Sequence, residues 1–94
     1  MKKKEAQQNV KQKASEWFGL PEEVLLSLPV IELVGNGRLR IQNYEGVIEY
    51  TEESIRLNTH IHMIKISGNE LAIVHMGAEE IVIKGDIVAL EYIR

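Results

Sequence analysis

From Val30 onward the apolar residues of this chain recur at every second position, in short runs broken by turn residues. Leu39 and Ile41 alternate with Arg38, Arg40 and Gln42. Ile48 and Tyr50 alternate with Glu49 and Thr51, Ile55 and Leu57 with Ser54, Arg56 and Asn58, and Ile64 and Ile66 with Lys65 and Ser67. A period of two places successive side chains on opposite faces of a strand, so these segments are half-buried strands with one wet face. Turn chemistry separates them at Gly35-Asn36-Gly37, Asn43-Tyr44-Glu45-Gly46, Glu52-Glu53, Gly68-Asn69, Met76-Gly77 and Lys84-Gly85-Asp86. The pattern predicts eight strands, over 30–34, 38–43, 46–51, 54–59, 61–67, 71–76, 80–84 and 86–93. Their connections are too short for helical crossovers, which makes antiparallel pairing the economical choice. The expected fold is mainly β: a small antiparallel meander closed into a barrel or sandwich, with a β-solenoid as the alternative. Alternation puts Leu39, Ile41, Ile48, Tyr50, Ile55, Leu57, Ile64, Ile66, Ile73, Ile81, Ile83, Val88 and Leu90 in the core.

The late strands break the alternation. Leu71-Ala72-Ile73-Val74, Ile81-Val82-Ile83 and Ile87-Val88-Ala89-Leu90 are apolar on both faces. Such strands need a cover on each side. The second cover is either the N-terminal part of the chain or another subunit, and an apolar patch left open would mark a binding surface. Ala72, Val74, Val82 and Ala89 are therefore expected at an interaction surface, together with Trp17 and Phe18 from the N-terminal segment.

Residues 1–29 form a different region, expected to supply one or two helices ahead of the β domain of residues 30–94. Residues 3–18 lack Gly and Pro and are rich in Lys, Gln, Glu and Ala, with Ala6, Val10, Ala14, Trp17 and Phe18 at helical spacing. Gly19 ends that helix, and Leu20-Pro21-Glu22-Glu23 opens a second that Pro29 stops. Charge divides the same way. Residues 1–18 carry five lysines against two glutamates, whereas residues 19–94 carry six basic and twelve acidic residues. An acidic body argues against nucleic acid, whose binding requires clustered cations. The basic end is suited to weak peripheral contact with an anionic membrane or to contact with an acidic partner. No apolar run reaches the length of a membrane span, and the basic start lacks the apolar stretch of a secretory signal, so a cytoplasmic protein is expected.

The sequence supplies little reactive chemistry. It has no cysteine, hence no disulfide, thiolate ligand or cysteine nucleophile. His60, His62 and His75 come without a zinc-site spacing, and Glu22-Glu23, Glu52-Glu53 and Glu79-Glu80 are adjacent turn residues rather than separated partners in a pocket. Gly35-Asn36-Gly37 lacks the lysine and hydroxyl residue of a phosphate loop. No catalytic residue, cofactor or metal is expected.

The order of strand and turn residues resembles the YabP/YqfC family of sporulation proteins, in particular its YqfC branch. The likeness is carried by Leu28-Pro29, the run Leu39-Arg40-Ile41-Gln42-Asn43-Tyr44-Glu45-Gly46-Val47-Ile48-Glu49-Tyr50-Thr51, and Ser54-Ile55-Arg56-Leu57-Asn58-Thr59. It continues through Ile64-Lys65-Ile66-Ser67-Gly68 and Leu71 to Glu80-Ile81-Val82-Ile83-Lys84-Gly85-Asp86-Ile87 and Leu90-Glu91-Tyr92. His62 departs from it, standing where the family pattern has Gly. The resemblance implies a non-enzymatic, structural or adaptor protein of endospore formation in the mother cell, acting with a YqfD-like membrane protein, by self-association, or both. A rival from another class is the Sm-like RNA-binding ring protein, similar in its Ile83-Lys84-Gly85-Asp86 segment; Lys84 stands where that motif has Arg, and the acidic body opposes RNA binding.

Overall fold

The structure is a computed structural model and describes residues 27–94. The helices expected in residues 1–29 fall almost wholly outside the described residues, as do Trp17 and Phe18.

Six strands follow in order: β1 (Val30–Val34), β2 (Arg38–Gln42), β3 (Tyr44–Tyr50), β4 (Ser54–Thr59), β5 (Met63–Met76) and β6 (Glu80–Ile93). They form one sheet in the order β1-β2-β6-β5-β4-β3, and every neighbouring pair is antiparallel. Antiparallel ladders throughout exclude the stacked parallel coils of a β-solenoid. The expected eight strands become six because 61–67 and 71–76 belong to one long β5, and 80–84 and 86–93 to one long β6. Gly68-Asn69 and Gly85-Asp86 bend these strands without ending them.

The two long strands hinge the sheet. β4 pairs with residues 63–67 of β5, and β2 pairs with residues 80–84 of β6. The sheet therefore has a β3 half (β3, β4, the first half of β5, the second half of β6) and a β1 half (β1, β2, the first half of β6, the second half of β5). At the bend, Glu70 and Leu71 stand against Gly85 alone, between the pairs Asn69–Asp86 and Ala72–Lys84. Glu70 has φ +53° and Gly85 has φ +142°. A Cβ on Gly85 would lie 2.7 Å from the Glu70 carbonyl oxygen, and one on Gly68 would collide with the Asp86 carbonyl. Both glycines let two backbones approach more closely than any side chain permits.

Folding at this hinge brings the inner faces together. Leu39 and Ile41 of β2, Ile55 and Leu57 of β4, Ile64, Ile66 and Leu71 of β5, and Ile81, Ile83 and Ile87 of β6 form one buried cluster with Tyr44. This is neither a closed barrel nor two separate sheets. The ladder order is linear, and the halves meet through local bonds instead. On one side, Tyr44 Oη donates to the Gly77 carbonyl (2.6 Å) and the Ile73 amide donates to Tyr50 Oη (3.0 Å). On the other, the amides of Gly85 and Ile87 donate to the carbonyls of Gly37 (3.3 Å) and Asn36 (2.9 Å).

Most of the expected core is where alternation puts it. Leu39, Ile41, Ile55, Leu57, Ile64, Ile66, Ile81 and Ile83 are buried, and Ile73 and Leu90 pack against them half-buried. Ile48, Tyr50 and Val88 are instead exposed. The cause is irregular pairing. Val47 faces Leu57 and Glu49 faces Arg56, so Ile48 is an extra residue in β3; Ser67 faces Ala89 and Gly68 faces Ile87, so Val88 is an extra residue in β6. Each bulge resets the alternation, which also explains why Ile87 and not Val88 enters the core. Tyr50 remains opposite Ile55, but its ring reaches over the edge to the Ile73 amide.

Candidate interaction surface

The exposed large apolar residues are not scattered. Leu33 and Val34 lie on β1, Ile48 and Tyr50 on β3, Val74 and Met76 on the second half of β5, and Val88 and Tyr92 on the second half of β6. Those four segments are the edges of the two halves, where a strand has a ladder neighbour on one side only. Ile61, in the β4–β5 turn, is the exception among the described residues.

Bulges generate three of these positions. Ile73 faces Ile83 and His75 faces Val82, which leaves Val74 extra in β5 as Ile48 is in β3 and Val88 in β6. All three extruded residues are β-branched and apolar, and they are 49%, 52% and 68% exposed for Ile48, Val74 and Val88. A bulge re-aims a side chain away from the face that the pleat would give it. Here it takes residues whose composition suits a core and holds them in water, at an edge where another chain can reach them.

The edges form two seams. The β3 seam lies between β3 and the second half of β5 and is stitched at its two ends by the Tyr44–Gly77 and Tyr50–Ile73 bonds. Residues 43–55 and 66–83, which build it, contain seven glutamates and no lysine or arginine. Glu49 pairs with Arg56 (3.5 Å), and Glu80 pairs with Arg40. Among the described residues, Glu45, Glu52, Glu53, Glu70 and Glu79 form no ion pair and are exposed. The β1 seam, between β1 and the second half of β6, is mixed in charge, with Glu32, Arg38, Lys84, Asp86, Glu91 and Arg94 around it. Asp86 there accepts hydrogen bonds from Asn36 Nδ2 (2.7 Å) and Asn69 Nδ2 (3.2 Å).

Of the interaction residues expected from sequence, four lie among the described residues, Ala72, Val74 and Val82 in the β1 half and Ala89 in the β3 half. Ala72 is half-buried opposite Lys84, and Ala89 is half-buried opposite Ser67 in the other half of the sheet. Val82 is buried, paired with Arg40 and His75 on the outer face. Val74 alone is open. Sequence reasoning missed Leu33, Val34, Ile48, Tyr50, Met76, Val88 and Tyr92 as surface residues: Ile48 and Val88 sit at bulges, which leave no mark in a two-residue period, and the other five lie on edge segments that only the strand order defines.

A polar concavity of about 200 Å³ lies on the outer face, lined by Arg40, Gln42, Asn43, Glu79 and Glu80. Its charges already serve one another: Arg40 joins Glu80 and lies 4.0 Å from Glu32, and His75 Nε2 lies 3.7 Å from Glu80. His62 packs edge-on against Tyr92, with ring centroids 6.1 Å apart. Among the described residues no three or more His, Asp or Glu are placed to hold a metal ion, and no helix is long and apolar enough to cross a membrane.

Comparison with known proteins bears on the same strands. The chain is 31% identical over 75 residues to the uncharacterized protein YqfC of Bacillus subtilis (strain 168), covering 80% of this chain and 81% of that one. Residues 28–94 match the model of the YabP family. Because that match runs from ahead of β1 to the end of β6, taking in the whole folded sheet, the chain belongs to the YabP family.

Proposed function

We propose that this protein is a non-catalytic component of endospore formation, an adaptor working in the cytoplasm of the mother cell against a membrane protein of the YqfD type. Family membership carries the proposal, since the YabP family match spans the whole β domain. The edges support an adaptor in particular. Ile48, Val74 and Val88 hold apolar area at unpaired strand edges, where protein contacts are made by adding a strand or covering a side chain. The basic residues 1–18 add weak attraction to an anionic surface, about 1 kcal/mol for each lysine close to it, so residence at the membrane depends on the protein partner.

The test is deletion in the source organism combined with imaging of the tagged protein. The proposal predicts arrested spore development and signal confined to the mother cell, concentrated at membrane only while the partner is present. Normal spores, or equal expression in vegetative cells, would remove it. Salt-sensitive co-purification with RNA would favour the Sm-like alternative instead.

A further inference from the structure

We propose that the β3 seam is a docking site for a cationic, amphipathic peptide segment of a partner protein. The proposal rests on the adaptor reading and names where on this molecule the partner binds, and with what chemistry.

Three observations converge on one strip. β3 and the second half of β5 are edges with no ladder between them, yet they are tied together by two tyrosine hydroxyls. Tyr44 is buried and its hydroxyl reaches the Gly77 carbonyl across the mouth of the fold, so the two edges are fixed relative to each other before anything binds. A pre-set site spares a ligand the cost of ordering its receptor. Next, both edges carry a bulge that turns out a β-branched residue, Ile48 on one side and Val74 on the other, with Tyr50 and Met76 also exposed, and a further bulge in β3 leaves the acidic Glu45 unpaired. Lastly, the strip is bordered by Glu45, Glu52, Glu53, Glu70 and Glu79, all exposed and without an ion pair among the described residues.

Apolar anchors inside an acidic border select their ligand. A neutral apolar segment would leave the glutamates unanswered. An anionic membrane or a nucleic acid is repelled by them. A peptide with lysine or arginine flanking large apolar side chains satisfies both features, burying its apolar side against Ile48 and Val74 while its cations answer the border. The β1 seam also exposes four large apolar residues, Leu33, Val34, Val88 and Tyr92, but has mixed charge, so it provides an internal control.

The test uses the full-length protein and a fluorescein-labelled synthetic peptide with the sequence of residues 1–18, which combines five lysines with Trp17 and Phe18. Fluorescence anisotropy at low salt should show saturable binding that weakens as salt rises. The same peptide with its five lysines replaced by glutamate should not bind. Glu52→Gln, Glu53→Gln and Glu70→Gln together should weaken binding roughly tenfold and flatten the salt dependence. Ile48→Ser with Val74→Ser should weaken it by a similar factor while leaving the salt dependence in place. Leu33→Ser with Val88→Ser, on the other seam, should leave the affinity within about twofold. Equal loss from the two seams, no effect of the glutamine substitutions, or no binding at all would overturn the proposal. Binding that appears only when the full-length protein's own Lys2, Lys3, Lys4, Lys11 and Lys13 are replaced by Ser would assign the seam to the chain's own terminus and overturn the partner assignment. None of these results touches the sporulation phenotype, so failure here is distinguishable from failure of the adaptor reading.

Discussion

Ile66 and Val88 sit on adjoining strands, a few residues apart along one ladder, and meet opposite environments. Ile66 faces Ile55 and Leu90 and is sealed in the core, whereas Val88 has no residue opposite it and stands in water. The same contrast separates Leu57 from Ile48 and Ile83 from Val74. At these positions side chains of like composition are sorted by ladder register. In these three comparisons the residue that keeps its place in the ladder is buried and the one that the ladder skips is turned outward, whereas at the hinge Leu71 is skipped and still buried. The inner face therefore holds the molecule together, and the bulge residues Ile48, Val74 and Val88 stand outside that core. Substitutions in the two sets should differ sharply in effect.

The largest effect is expected at the hinge on which both sets depend. Gly68→Ala forces a methyl group into the Asp86 carbonyl, where backbone must move to admit it. The expected loss is more than about 3 kcal/mol, read from urea denaturation, and it would unfold a marginal domain. A loss below about 1 kcal/mol would mean that the hinge opens without cost.

Truncation on the inner face comes next. Leu57→Ala or Ile83→Ala removes a fully buried side chain that the two halves pack around, at an expected cost of about 2–5 kcal/mol. At the bulges, Val88→Thr and Ile48→Thr should change stability by no more than about 0.5 kcal/mol. A bulge substitution as costly as an inner-face one would collapse the distinction.

The tyrosine stitches divide between these extremes. Both hydroxyls bond a backbone group across the β3 seam, but Tyr44 is buried and Tyr50 is exposed. Tyr44→Phe leaves the Gly77 carbonyl short of a donor in a partly buried place and should cost about 1–3 kcal/mol. Tyr50→Phe opens the Ile73 amide to water and should cost about 0.5 kcal/mol. Thermal unfolding of the two variants gives the comparison, and equal losses would show that burial does not set the strength of the stitch.

These comparisons also mark how far the sequence can be read. Wherever the pleat is regular, alternation identified the buried residue correctly, as at Leu39, Ile41, Ile55, Leu57, Ile64 and Ile66. The family was legible as well, because the order of strand and turn residues survives in Leu39–Thr51 and Glu80–Ile87. The bulges were not legible. An extra residue in one strand is defined only against its partner strand, and Ile48, Val74 and Val88 read as ordinary members of apolar runs. For the same reason Gly68 and Gly85 read as turns that end strands, when each is a point of close backbone approach within one long strand. Closure was misjudged too. Short connections and even spacing fit a barrel, but whether the last edges pair depends on bends that no local pattern records. The candidate site suffered most from this, since its residues are the bulges and the edges.

A single sheet folded at its hinge makes one cooperative body, with the edges outside it. Native-state amide hydrogen exchange tests this directly. The paired amides of Leu39 and Ile83 in the β1 half, and of Leu57 and Ile64 in the β3 half, should share one opening free energy, equal to that of global unfolding measured in urea. Amides of Ile48, Val74 and Val88 should exchange through smaller openings. If either half opened at a free energy well below the other, the two halves would be separate units, and the shared core that defines this fold would be contradicted.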